Sequence, residues 1–258
     1  MLGARPLSLI LAEIREPGNY RALWRMLRLY PRWRENLGRY FFARGSYPYR
    51  CQIRTPVGNV APSLWSSHDM LTVNEVFCRE DYRVGPEVRV VVDIGSNIGI
   101  SALYFLTRNS ASRVWCYEPV PTNLARLRMN LSGISSERFS VSEVAVADRA
   151  GTVSFGVEPT GRYGGIGVET GETISVSCVG INDVLMEVLA AEPMIDLLKL
   201  DTEGSEVATV ATIRPDLLDR IRVIVLETPQ PAPLHAAVFE SAFASQTQTL
   251  RMRGDVAT

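Results

Sequence analysis

Hydrophobic positions change their period along the chain, and each change marks a different kind of element. From Leu7 to Ala43 apolar residues recur at helical spacing among arginines. In "YRALWRMLRLYPRWRENLGRYFF" Leu23, Met26, Leu27 and Tyr30 fall on one face, and Pro31 is expected to break or kink the helix. Residues 46–62 read as short strands around a turn at "PVGN", and "SSHDMLTVNEVFCREDY" as a helix with Ser66 or Ser67 near its N-cap. From Val88 onward short apolar runs alternate with helical patterns. The predicted strands are Arg89–Ile94, Arg113–Glu118, Phe139–Ala147, Leu197–Asp201 and Arg222–Glu227; helices fit "IGISALYFLTRN" and "VPTNLARLRMNLSG". That alternation predicts an α/β fold, a doubly wound and mostly parallel sheet with helices on both faces. Gly151–Val179 reads as an insertion of two strands joined by a glycine-rich loop, placed where a substrate lid would sit. The expected division is an N-terminal cap of helices and short strands, residues 1–68, and a main domain, 69–258.

Composition narrows the class. A chain of 258 residues can hold one large α/β domain with an appendage. With 46% hydrophobic residues, 21% charged and a formal net charge of −1, it lacks the basic surplus of a general nucleic-acid binder. The charge is uneven: residues 1–50 contain ten arginines against three glutamates. Such a basic amphipathic stretch is either a helix packed on the main domain with a solvated arginine face, or a membrane-surface or partner element, including part of the acceptor site or a homo-oligomer contact. Lys199 is the single lysine, a bias attributed to genome composition. The four cysteines are scattered without a CxxC, and His68 and His235 are the only histidines, so neither disulfides nor a zinc site is implied. No secretory signal pattern and no apolar run near the roughly 20 residues of a membrane span is present, and a cytoplasmic chain is expected.

The chemistry concentrates in "VVVDIGSNIGIS", Val90 to Ser101, a strand, a tight turn and a helix start. A dinucleotide site wants G-x-G-x-x-G, which lets the backbone reach a pyrophosphate. Here the spacing is Gly95 to Gly99, with Asn97 at the middle glycine's place and Asp93 ahead of it. An acid at that strand end disfavours phosphates and favours a cation. S-adenosylmethionine (SAM) carries a sulfonium and an ammonium and no phosphate, so it suits the turn better, with Asp93 orienting its amino-acid end directly or through water. The second strand runs into Glu118, either spaced to accept both ribose hydroxyls or simply a solvated strand-end acid, and Pro119 follows as a stiff apolar surface near the adenine.

On these residues the chain resembles the FkbM family of SAM-dependent methyltransferases. The matching pieces are "VVDIGSNIGISAL", "VWCYEPVPTNLARLRMNL", "VSEVAVADRAGTVSF", "IDLLKLDTEGSE" and "IRVIVLE". The resemblance implies a class I, Rossmann-like methyltransferase sheet, and mostly O-methylation of sugars or natural products. It implies that Asp93, Gly95, Ser96, Asn97 and Gly99 hold the methionyl end, Glu118 the ribose, Ala145 and its neighbours the adenine. Asp201 would face the methyl group. Two departures stand out: "VGIND" replaces the usual Thr-Leu-Asp, with Asp183 as a partial match, and the tail after Glu227 is short for a last helix and two strands. The antiparallel hairpin that would close the sheet is therefore in question.

Methyl transfer to a hydroxyl needs positioning and a general base. Asp201 is the first candidate; Glu203 and Glu206 follow within a turn, though Glu203 could equally fix the loop and Glu206 serve the helix dipole. His68 is a further candidate base, with a surface or capping role as its alternative. Asp201, Glu203 and Glu206 also have the chemistry to hold Mg²⁺, which is not favoured. Nucleic-acid methylation is disfavoured, because no [ND]-P-P-[FYW] cradle exists and Cys116 lies inside a strand. A binding or scaffold protein that has lost catalysis is the remaining rival.

Overall fold

The computed structural model describes residues 17–157, 164–166, 172–202, 204–244 and 246–254. Its centre is a seven-stranded sheet. In chain order the strands are β1 (Val90–Ile94), β2 (Arg113–Tyr117), β3 (Phe139–Ser142), β4 (Ile195–Leu200), β5 (Ile221–Glu227), β6 (Phe239–Ala244) and β7 (Thr247–Met252). The spatial order is β6-β7-β5-β4-β1-β2-β3, parallel except for β7, which runs against both neighbours. All five residues of β1 are buried, as expected of a central parallel strand covered on both faces.

One face packs against the helices Ile100–Leu106 and Pro121–Leu131 and against the N-terminal helices, in a continuous core from Met26 and Tyr30 through Phe77 and Tyr104 to Val91 and Leu197. The other face is covered by Ile181–Ala191, Glu206–Ala211 and Pro215–Leu218, whose Leu185, Val210 and Leu217 meet Val92, Leu198 and Ile224. This is the doubly wound, Rossmann-like arrangement that the alternation predicted. Among the described residues no helix is long and apolar enough to cross a membrane.

The structure corrects the sequence in four places. The N-terminal helix does break at Pro31, into Pro17–Leu29 and Trp33–Phe42. Only Met26 and Tyr30 of the expected face are buried, however; Leu23 and Leu27 turn outward with Tyr20 and Trp24. Helical spacing offers two apolar stripes here, and the bond from the Tyr30 hydroxyl to Asn74 Oδ1 fixes which one goes inward. The helix after Ser66 starts as predicted, capped by reciprocal bonds between Ser66 and Asp69. Past Val73 it widens into a π-helical turn, Asn74–Arg79, ended by Glu80 in the left-handed region.

The predicted strand Phe139–Ala147 is two strands. β3 is a half-exposed edge, and beyond it Ala145–Ala147 leaves the sheet to pair in parallel with Glu172–Gly180 in a second, four-stranded sheet. Burial of Ala145 and Ala147 against Val120, Phe155 and Cys178 accounts for the departure. The two insertion strands pair antiparallel, Phe155 opposite Ile174, with Gly164–Ile166 on their edge. The rest of the joining loop, with its expected lid role, lies outside the described residues. Finally, the closing hairpin β6–β7 is present. Residues 228–238 reach it without a helix, which is how so short a tail completes the sheet. Gln248, fully buried, bonds both the N–H and the carbonyl of Ala232 and anchors that link.

Candidate functional site

The parallel strands deliver their carboxyl ends to one edge of the sheet, and the turn after β1 is the tightest feature there. Gly95, Asn97 and Gly99 all have positive φ, 74°, 47° and 84°. The N–H groups of Gly95 and Ser96 both donate to Tyr117 O, at 2.9 and 3.1 Å, and Ser96 Oγ donates to Asp93 O at 2.7 Å. A Cβ on Gly95 would lie 1.8 Å from Asp201 O, so only glycine lets the turn lie against the end of β4.

Lys199 ties these parts together. Register places it beside Asp93 on the neighbouring strand. Its Nζ lies 3.1 Å from Asp93 Oδ1 and 3.5 Å from Asp201 Oδ2, and donates to Gly95 O at 2.8 Å. Burial opposes the charge, but the Asp93 and Asp201 carboxylates outweigh it and hold the ammonium above its ordinary range. Ser101 Oγ donates to the other Asp93 oxygen at 2.6 Å.

Beyond the turn opens a cavity of about 310 Å³. The glycine turn, Lys199, Asp201 and Glu227 form its sheet side, and Asp69, Glu75 and Arg79 of the widened helix face them. Tyr82 also lines it; its hydroxyl donates at 3.2 Å to Asp201 Oδ2 or at 2.8 Å to Glu227 Oε1. A π-helical turn in such a wall is a recurrent feature of functional sites.

The predicted residues take different places around this cavity. Gly95, Ser96, Asn97 and Asp201 line the cavity. Asp93 stands one layer behind it, fully buried, where it pairs with Lys199 and supports the turn. Gly99 is the left-handed residue that starts the helix Ile100–Leu106 and packs on Leu127.

Glu118, the first residue past β2, is buried on the other side of the turn. Its oxygens accept from the N–H groups of Asn97 and Val120, each at 2.9 Å. Burial, partly offset by those bonds, pushes its carboxyl up to about 7. Pro119 is buried beside it, and Ala145 shares a small core with Val120.

His68 is half-buried in its helix and is not among the residues lining the cavity. Glu203 lies outside the described residues. Glu206 is buried and accepts from Thr202 N at 2.6 Å and Gly204 N at 2.9 Å, so it braces the turn after Asp201. Lys199, Tyr82 and Glu227 are the residues that pattern reading did not single out. The available signals were a lone lysine inside the apolar run "IDLLKLD" and an acid, Glu227, closing the predicted strand Arg222–Glu227.

The residues fit a cationic, adenosyl-type cofactor. Gly95, Ser96 and Asn97 of the turn border a cavity that holds the carboxylates Asp69, Glu75, Asp201 and Glu227 against Arg79 and Lys199, and Glu118 stands behind the turn with its carboxylate on Asn97 N–H.

Comparison with known proteins agrees. Residues 93–251 match the family model of the methyltransferase FkbM domain. A 31-O-demethyl-FK506 methyltransferase FkbM of Streptomyces tacrolimicus is 30% identical in an alignment 213 positions long that covers 68% of this chain and 80% of that protein. A 2-O-methyltransferase NoeI of Sinorhizobium fredii is 38% identical over 66 residues, 26% of each chain. A crystal structure of methyltransferase FkbM from Methylobacillus flagellatus superposes with a TM-score of 0.45 at 14% identity, covering 72% of this chain and 54% of that one. The chain thus belongs to the FkbM methyltransferase domain family.

Proposed function

We propose that this protein is a SAM-dependent O-methyltransferase acting on a hydroxyl of a sugar or another small natural-product-type molecule. The observation that carries the reading is one cavity bounded by both the glycine turn and Asp201. When bound, SAM supplies an electrophilic methyl group on a sulfonium.

The chain's own residues supply the rest. Gly95, Ser96 and Asn97 receive the methionyl end, held in place through Lys199 and Asp93. Glu118 takes the ribose hydroxyls, with Pro119 and Ala145 toward the adenine. Asp201, whose side chain is 28% exposed at the cavity, accepts the proton of the acceptor hydroxyl. The polar wall of Asp69, Thr72, Glu75 and Arg79 suits a hydroxylated acceptor. The two relatives bearing O-methyltransferase activities in their names support the same acceptor chemistry. Neither nucleic acid nor Mg²⁺ is required by this reading.

The test is incubation with methyl-labelled SAM and a panel of free sugars, glycosides and polyketide alcohols. Acceptor-dependent release of S-adenosylhomocysteine, with an O-methyl product, is expected. Tight S-adenosylhomocysteine binding with no turnover on any acceptor would favour the non-catalytic rival. Asp201→Asn is expected to keep cofactor binding and to lower turnover at least about 100-fold. Undiminished turnover in that variant would place the base elsewhere.

A further inference from the structure

Tyr82 sits where two carboxylates compete for one proton. Its hydroxyl lies 3.2 Å from Asp201 Oδ2 and 2.8 Å from Glu227 Oε1. A phenol has one O–H to donate. With both acids ionised, one of them must face a phenol lone pair, so the arrangement is satisfied best when the trio holds an additional proton.

The surroundings say how that proton is shared. Lys199 Nζ lies 3.5 Å from the same Asp201 oxygen, so that oxygen already has a cationic neighbour, whereas Glu227 has no salt bridge to a cation among the described residues. Glu227 faces Tyr82, Asp201, Lys199 and Glu75; protein around it and the Asp201 charge push its carboxyl up to about 7. The Tyr82 phenol is only 5% exposed, and burial with the two acids holds it well above its ordinary value. It can therefore pass a proton without becoming a phenolate. Location adds a direction. Asp201 and Glu227 both border the cavity at the glycine turn and also a second cavity, of about 280 Å³, walled further by Gly204, Thr228, Pro229 and Gln246.

Resting on the methyl-transfer reading above, we propose that Asp201, Tyr82 and Glu227 form a proton relay that carries the acceptor's proton away from the reacting oxygen to the second cavity. The acceptor O–H bond breaks as the O–CH₃ bond forms, and the pair of the S–CH₃ bond stays on sulfur. The proton passes to Asp201. Glu227 first releases its proton to water at the second cavity; Asp201 then donates through Oδ2 to the Tyr82 oxygen while Tyr82 gives its own hydrogen to Glu227, which restores the trio's shared proton. Asp201 and Tyr82 return to their starting states. Tyr82 and Glu227 act here through Asp201, as positioning and relay groups.

The decisive measurement is carboxyl ¹³C NMR of the free protein, titrated with pH, for wild type, Tyr82→Phe and Glu227→Gln. In wild type, Glu227 is expected to titrate near about 7 with a matching response at Asp201. Tyr82→Phe keeps the ring beside Lys199, should move Glu227 upward, and should abolish the shared response. Glu227→Gln should remove the Asp201 response in the same range. With the acceptor found by the panel, both variants should lose about 10- to 100-fold in kcat, while KM for SAM stays within about twofold. The acid limb of the kcat profile should disappear in Glu227→Gln.

A merely structural Tyr82 would alter stability or cofactor binding and leave the pH limb in place, and that pattern would overturn the relay. So would a Glu227 transition at the ordinary value of about 4.3, or an Asp201 response unchanged in Tyr82→Phe. Absence of turnover on every acceptor would defeat the methyl-transfer reading instead, while the free-protein titration still decides the coupling.

Discussion

Lys199 is 1% exposed, yet its ammonium meets two carboxylates and two backbone carbonyls. Lys199→Met would leave Asp93 as a buried charge without its counter-ion. Breaking such a pair typically costs about 3–5 kcal/mol, and urea unfolding should register a loss of that order. A loss below about 1 kcal/mol would mean that the ion pair does not order the site. Glu118 is a second buried acid, raised to about 7. The folded state keeps its proton over a range in which the unfolded state, near about 4.3, has lost it. Its contribution to stability is therefore full below that lower value and falls as pH rises toward 7. Glu118→Gln should flatten this part of the stability–pH curve. The acids at strand ends were legible in the sequence, because a strand pattern ending in an acid fixes its place. Lys199 was not, since its partner depends on the register between β4 and β1. Tyr82 is 119 residues from Asp201, and no local pattern reports such a meeting.

The strand-turn-helix from Val90 to Leu106 is the element on which the site depends, and Gly95 is its narrowest point. Gly95→Ala sets a Cβ against the backbone of Asp201 at φ 74°. The variant should lose more than about 1 kcal/mol of stability together with cofactor binding. A variant with unchanged unfolding and binding would show that β4 and the turn can separate freely. Period-2 runs and helical patterns made the main sheet readable, but they give no warning where a strand changes sheets. Phe139–Ala147 reads as one apolar-rich strand, and its division follows from the pocket that Val120, Phe155 and Val176 offer Ala145. The π-helical turn at Asn74–Arg79 is likewise invisible to a 3.6-residue period. Its effect is to present Glu75 and Arg79 to the cavity. The closing hairpin was doubtful only because a helix was expected before it.

Across the whole molecule, two faces of helices bury the sheet and leave the carboxyl ends of β1, β2, β4 and β5 as a line of acids, Asp93, Glu118, Asp201 and Glu227. Ligands of open α/β sheets bind at this edge. The acids sort themselves by depth: Asp93 supports the turn from behind, Glu118 lies on one side of it, and Asp201 and Glu227 reach the cavity on the other. On the proposed function, this edge binds an adenosyl cofactor through Glu118 and the glycine turn. Calorimetric titration with S-adenosylhomocysteine at pH 6 and pH 8, on wild type and Glu118→Gln, tests it most directly. One site is expected. If a ribose diol needs the ionised carboxylate, whose free-protein value is about 7, wild-type affinity should be roughly tenfold higher at pH 8. Glu118→Gln should bind more weakly and without that pH dependence. No binding at either pH, or binding indifferent to Glu118, would contradict the account.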